Sequence, residues 1–201
     1  MNRNRHKIFK QMGMGILNSL AHSINVSQGY REKEKSPASY EDLCLSAKLA
    51  ERRGHLLAAS RYNHRAGEVA AKSKDFPSAY RHYTKAADQA EVILASGKFD
   101  SGAQNNIRLG ATYCRVFAGK HAMTYSRVAR DMGACRADVE WWRKAAFEEL
   151  YSAKGHIIVL IESGVRIDQI RGLFMEKVQN LGDSGISAFL ELPQPKPPSS
   201  K

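Results

Sequence analysis

The side chains in this sequence best suited to chemistry are cationic. After Asp100 no acid appears until Asp131, and the interval holds Arg108, Arg115, Lys120, Arg127 and Arg130. Groups of this kind neutralise phosphates and carboxylates. Formal net charge over the 201 residues is +11. That favours an acidic partner: nucleic acid, an anionic membrane surface or an acidic protein groove.

Other reactive side chains lack the spacing that catalysis needs. His6, His22, His55, His64, His82, His121 and His156 are scattered. A catalytic or metal-binding pair of histidines needs a carboxylate or cysteine close by. His64 and His82 would face each other across an expected hairpin without one. Glu148-Glu149, and Asp138 with Glu140, read as solvated faces with i,i+4 partners such as Lys144. No GxxxxGK[ST], HExxH or GxSxG run occurs. The expectation is a protein that is not an enzyme and uses no cofactor and no metal. Cys44, Cys114 and Cys135 lie far apart, without a CxxC. An odd count and no secretory signal suit core packing in a reducing, cytoplasmic compartment.

Helices must position these groups. Ser39 followed by Asp42 is a cap signal, and Leu43, Ala47, Ala50 and Gly54 mark the first helix. A second is expected over 55–73. Pro77 suits a first turn, so a third should run from Phe76 to about Ser96. Residues 97–104 read as a loop. Separate helices follow at 105–118, 120–132 and 137–153. Residues 156–162 fit a helix or a short strand, because Ile157, Ile158 and Val159 are β-branched. Helical spacing resumes over 167–180.

Three regions result. Residues 1–39 form a basic N-terminal segment and linker, with seven basic and two acidic side chains in the first 40 positions. Its first 24 residues have an amphipathic pattern that fits a docked or frayed helix, a membrane-surface helix or a targeting address. Residues 40–180 form a helical repeat domain. Residues 181–201 form a Pro-rich flexible tail. No apolar run approaches the ~18 residues of a membrane span.

Within the helical region, small and aromatic residues recur at fixed intervals. Gly67 is followed by Ala79, Tyr83, Ala86 and Ala90, with Asp75-Phe76-Pro77 between. Gly and Ala bring two helices to the short end of ~8–10 Å, and Tyr fills the wedge beside them. This run resembles a tetratricopeptide repeat, a helix-turn-helix unit of 34 residues. A second, poorer match covers 109–129 through Gly110, Tyr113, Ala122 and Ala129, with Ser126 where the aromatic belongs. The resemblance implies stacked hairpins with a groove that binds a peptide or helix. An ordinary antiparallel bundle uses the same small residues. The 75–90 run, with Glu51-Arg52-x-Gly54 upstream, is also similar to the AraC negative regulator family. Tyr83 stands where that family has Trp. That likeness, too, implies protein binding.

A rival pattern overlaps the second match. Residues 125–142 place Ala129, Gly133 and Val139 at helix-turn-helix spacing. Arg127, Arg130, Arg136 and Lys144 would then face DNA, although Glu140 repels phosphate and Trp141 reads no base edge well.

The expected fold is therefore all-α, with antiparallel helical hairpins in a tetratricopeptide-like array or bundle. The expected function is a regulator or adaptor that binds a protein partner, acidic in character. Its candidate contacts are Arg61, His64, Arg81, His82 and Lys85. The alternatives are a helix-turn-helix DNA-binding regulator and an exported or organelle-targeted protein. The sequence leaves the oligomeric state open.

Overall fold

The computed structural model describes residues 39–166 together with Ile170. Five α-helices follow in order: α1 Tyr40–Arg52, α2 Leu56–Lys72, α3 Phe76–Ala95, α4 Ser101–Asp131 and α5 Arg136–Glu162. No strand occurs among the described residues.

Short polar side chains set three helix starts. The Asp42 N–H donates to Ser39 Oγ at 3.1 Å, and the Ser39 N–H donates back to the Asp42 carboxylate at 3.3 Å. This reciprocal pair satisfies two amide donors that the first turn leaves free. Asp75 accepts from the Ser78 N–H at 3.1 Å, and Asp100 accepts from the Ala103 N–H at 2.8 Å. Pro77 lies in the first turn of α3, where its missing N–H costs nothing. Gly133, with φ +79, ends α4 in the left-handed conformation that most side chains avoid.

Contacts fix the helix directions. Near the α2–α3 turn, Ala70 shares a buried cluster with Ala79. Further from the turn, Gly67 faces Tyr83 and Asn63 bonds Gln89. The two helices are thus antiparallel. Antiparallel contacts between α3 and α4 run from Phe76 on His121 to Ile93 with Ile107. Between α4 and α5 they run from Tyr125 on Trp142, through Gly119 on Leu150, to Asn105 with Ser163. Across alternate helices, Tyr40 meets His82 and Glu51 meets Lys85, while Tyr80 meets Trp142 and Glu91 meets His156. Hence α1, α3 and α5 lie side by side in one row, with α2 and α4 against them.

Alanine makes these interfaces. Ala59, Ala66, Ala79, Ala86, Ala118 and Ala146 are fully buried. Small side chains let the helix axes approach closely. Larger residues fill the remaining space in three clusters: around Tyr83 between α2, α3 and α4, around Ile93 and Ile107, and around Leu150, Ile157 and Leu160.

Three expectations from sequence need correction. The break at Gly119 does not form, because α4 is continuous from Ser101 to Asp131. A helical glycine costs about 1 kcal/mol relative to Ala. Here that cost is offset by the approach of α5: a Cβ on Gly119 would stand 2.7 Å from Leu150 Cγ and 3.0 Å from the Ala146 carbonyl oxygen. It follows that Gly110 and Ala122 sit on one helix, about 18 Å apart along its axis. The 109–129 match is therefore not a second hairpin. The loop at 97–104 is also shorter than expected, since Asp100 caps α4 at Ser101. Residues 156–162, which the sequence left open between helix and strand, are helical, with Ile157 and Leu160 buried in the α4–α5 interface.

Residues 1–38 of the N-terminal segment expected at 1–39, most of the 167–180 helix and the 181–201 tail lie outside the described residues. Ile170 is helical and packs into the Leu150 cluster. No helix among the described residues is long and apolar enough to cross a membrane.

Candidate functional site

The five residues expected to contact a protein partner do not share one exposed face. His64 points into the interior, its ring 5.6 Å from Tyr83 and 5.4 Å from Tyr113. Burial there pushes its pKa down. His82 lies on the α1 side of α3, where its Nε2 meets the Tyr40 hydroxyl at 2.9 Å and its Nδ1 meets Asn63 Oδ1 at 3.1 Å. Partial burial and the neighbouring Arg81 and Lys85 charges lower its pKa. Lys85 Nζ donates to Glu51 at 2.7 Å, tying α3 to α1. Arg61 places one guanidinium nitrogen in the interior. Of the five, only Arg81 is exposed, with its guanidinium donating to Ser78 Oγ at 3.1 Å. A helical hairpin turns alternate polar positions toward α1 and α4 as well as toward water, and spacing along one hairpin does not separate these directions.

A buried ion cluster links α3, α4 and α5. Arg115 donates to Asp88 at 2.6 Å, to Glu91 at 2.9 and 3.0 Å, and to Glu149 at 2.8 Å. Its charge is thus matched by three carboxylates, so Arg115 is not available to neutralise a phosphate as the sequence led us to expect. Glu149, expected on a solvated face, is buried and also accepts from Thr84 Oγ1 at 2.8 Å. Burial pushes its pKa up, against the pull of Arg115. Glu91 behaves oppositely. Its hydrogen bond to His156 at 2.8 Å, with Arg115 beside it, holds its carboxyl at about 2. Glu91, His156 and Ser152 line a cavity of about 350 Å³ together with Arg108. The carboxylate and imidazole there are occupied in holding three helices together.

The residues expected to read DNA fare differently. Arg127, Arg130 and Arg136 line one cavity of about 480 Å³ at the α4–α5 turn, and Arg143 joins them. Met123, Ala134 and Val139 give it apolar walls, and Glu140 is the one acid that lines it. Lys144 is not part of this lining; its ammonium lies 3.8 Å from Glu148. The two helices run antiparallel along their whole length. A DNA-reading helix-turn-helix pair instead crosses at ≈ 90–120°. Gly119, Ala122 and Ala146 let α5 lie flat along α4, so Ala129 and Gly133 serve a tight hairpin.

No family model, curated protein or solved structure matches the chain.

The function of these groups rests on their own chemistry. Among the described residues no cluster of His, Cys, Asp and Glu is placed to hold a metal ion. The arginine cavity is where cationic side chains converge with room beside them. Three of its four arginines, Arg127, Arg130 and Arg136, were expected from the sequence to face DNA together with Lys144. Sequence reasoning missed Arg143, which enters from the second turn of α5. The signal available was the i,i+3 spacing of Arg127 with Arg130, opposite Arg136 across a short turn.

Proposed function

We propose that this protein is a non-catalytic helical scaffold that binds a partner protein, as a regulator or adaptor. The observation that carries this reading is the way the helices associate. Each helix packs chiefly on its sequence neighbours, in two rows. Arrays of this kind extend a surface along their length. Such surfaces bind peptides and helices.

The tetratricopeptide resemblance supports the reading through α2 and α3 alone, where Gly67, Ala79, Tyr83 and Ala86 meet at the hairpin interface. The likeness to the AraC negative regulator family draws on the same run and adds no separate support. Apolar side chains left outside the core, including Met132, Trp141 and Tyr151, are of the types enriched in protein interfaces. The net charge of +11 favours an acidic partner. Free Cys44, Cys114 and Cys135 suit a reducing compartment, and we place the protein in the cytoplasm.

Site-specific photo-crosslinking of the full chain in cells tests this. A crosslinker at Trp141 or Arg65 should trap one recurrent protein, and the purified pair should associate in calorimetry. Failure of every trapped protein to bind in purified form would overturn the reading, as would capture of nucleic acid alone.

A further inference from the structure

The arginine cavity has a charge balance that selects its ligand. Arg130 pairs with Asp131 at 3.1 Å, and Arg143 lies 3.8 Å from Glu140. Arg127 and Arg136 have no carboxylate partner among the described residues, although both line the same cavity. Two positive charges are therefore left facing one space. They come from different helices, Arg127 from α4 and Arg136 from the first turn of α5.

From this we infer that the cavity lined by Arg127, Arg130, Arg136 and Arg143 receives a phosphorylated serine or threonine side chain of a partner protein segment. A phosphomonoester brings about −1.5 to −2 charges at neutral pH and three acceptor oxygens. That matches Arg127 and Arg136 together. A carboxylate brings one charge and leaves an arginine uncompensated. Guanidinium groups bind phosphate through paired N–H donors, which two arginines on facing helices can direct at different oxygens. The cavity, at about 480 Å³, exceeds a phosphate group. Met123, Ala134 and Val139 supply apolar wall for the methylene and the neighbouring residue of a peptide.

The surroundings favour a protein segment over a nucleic acid. Asp131, Asp138 and Glu140 flank the arginines on the same turn and first helical residues. Their carboxylates repel the next phosphates of a continuous backbone but tolerate a single one. Met132 and Trp141 stand 81% and 56% exposed beside the cavity residues in sequence. Both are side chains that protein interfaces use as anchors. The inference rests on the protein-binding reading and adds to it a site and a ligand class.

Fluorescence polarisation of the full chain is the test. The probes are a fluorescein-labelled phosphoserine peptide with degenerate flanks, its unphosphorylated twin, a duplex DNA and inorganic phosphate as competitor. The phosphopeptide should bind at least about tenfold more tightly than its twin, since charge-assisted bonds are its only difference. The double variant Arg127→Gln/Arg136→Gln should lose that difference while its thermal unfolding stays unchanged. A control with equal charge loss elsewhere, Arg53→Gln/Lys98→Gln, should keep it. Equal binding of the two peptides overturns the inference, as does a phosphate preference that survives the double variant. Tighter binding of duplex DNA through the same arginines overturns it in favour of nucleic acid. Competition by inorganic phosphate as tight as the peptide overturns the peptide segment as ligand. If the double variant still crosslinks to its protein partner, the scaffold reading stands and only this site falls.

Discussion

Gly67 on α2 lies against the ring of Tyr83 on α3, so close that a Cβ on Gly67 would stand 3.1 Å from Tyr83 Cδ2 and Cε2. Tyr83 is 2% exposed and stacks at 5.7 Å on His121, with Phe117 at 5.5 Å. The ring has little room to yield. The helix pair is therefore held by a glycine whose missing side chain is the contact.

Three glycine-to-alanine variants should separate packing from propensity. At Gly110 no side chain or other helix lies within 4 Å of the place a methyl group would take, its chain neighbours aside, so Gly110→Ala should stabilise by about 1 kcal/mol through helix propensity alone. Gly67→Ala gains the same but overpacks Tyr83, and should lose about 1 kcal/mol net. Gly119→Ala meets Leu150 at 2.7 Å and backbone at 3.0 Å, and should lose most, about 2 kcal/mol net. Urea unfolding gives the order. Destabilisation by Gly110→Ala would contradict the continuous, open helix at that position.

His121 predicts an acid-sensitive core. Neither of its ring nitrogens meets a hydrogen-bond partner among the described residues, and Phe76 and Tyr83 stack on it. Burial, with Lys120 adding to it, lowers its pKa to about 4 from an ordinary value of 6.5. A base with a depressed folded pKa binds fewer protons folded than unfolded between those values. Stability is then full above about pH 6.5 and falls as pH drops toward 4, by on the order of 3 kcal/mol. His64 and His82 act in the same direction. His121→Phe should flatten the slope between pH 6.5 and 4 in chemical unfolding, and an unchanged slope would refute the assignment.

The hairpin over α2 and α3 was legible because its cues are local. Pro77 near the start, Asp75 as cap and the Gly67–Ala79 interval all act within one turn or one interface. Gly119 misled because a glycine reads as a break until its partner is known. The partner, Leu150, lies 31 residues on. Arg115 and Glu149 misled for the same reason. A charged residue reads as solvent-facing unless the distant residue that neutralises it is seen, and α3, α4 and α5 each supply part of that cluster. The arginine cavity was half legible. Residue types on the α4–α5 turn were visible, but their direction depended on α5 lying antiparallel along α4.

Arg115→Met should be among the most damaging single substitutions. It leaves Glu149 buried without its cation and frees Asp88 and Glu91 from theirs. Breaking a buried pair from one side costs about 3–5 kcal/mol. Glu149→Leu in the same chain removes the uncompensated charge and should recover most of the loss. A double-mutant cycle measures the coupling. A near-zero coupling energy would mean that Arg115 is held by Asp88 and Glu91 alone.

Thiol reactivity reports which parts of the helical fold open. Cys135 is exposed at the start of α5, whereas Cys114 is buried within the α3–α4 interface and its pKa is pushed up to about 12 by burial. The thiolate is the reactive form, so Cys114 should be inert in the native state. A chromogenic disulfide reagent should label Cys135 rapidly. Labelling of Cys114 should wait for separation of α3 from α4, at a rate that rises with urea as global unfolding does. A Cys44→Ser/Cys135→Ser variant, which leaves Cys114 as its one thiol, makes the slow phase visible. If Cys114 then labels without denaturant at the rate of a free thiol, α3 and α4 part independently of the rest. The Arg115 cluster, which spans the same interface, would then not act as a clamp.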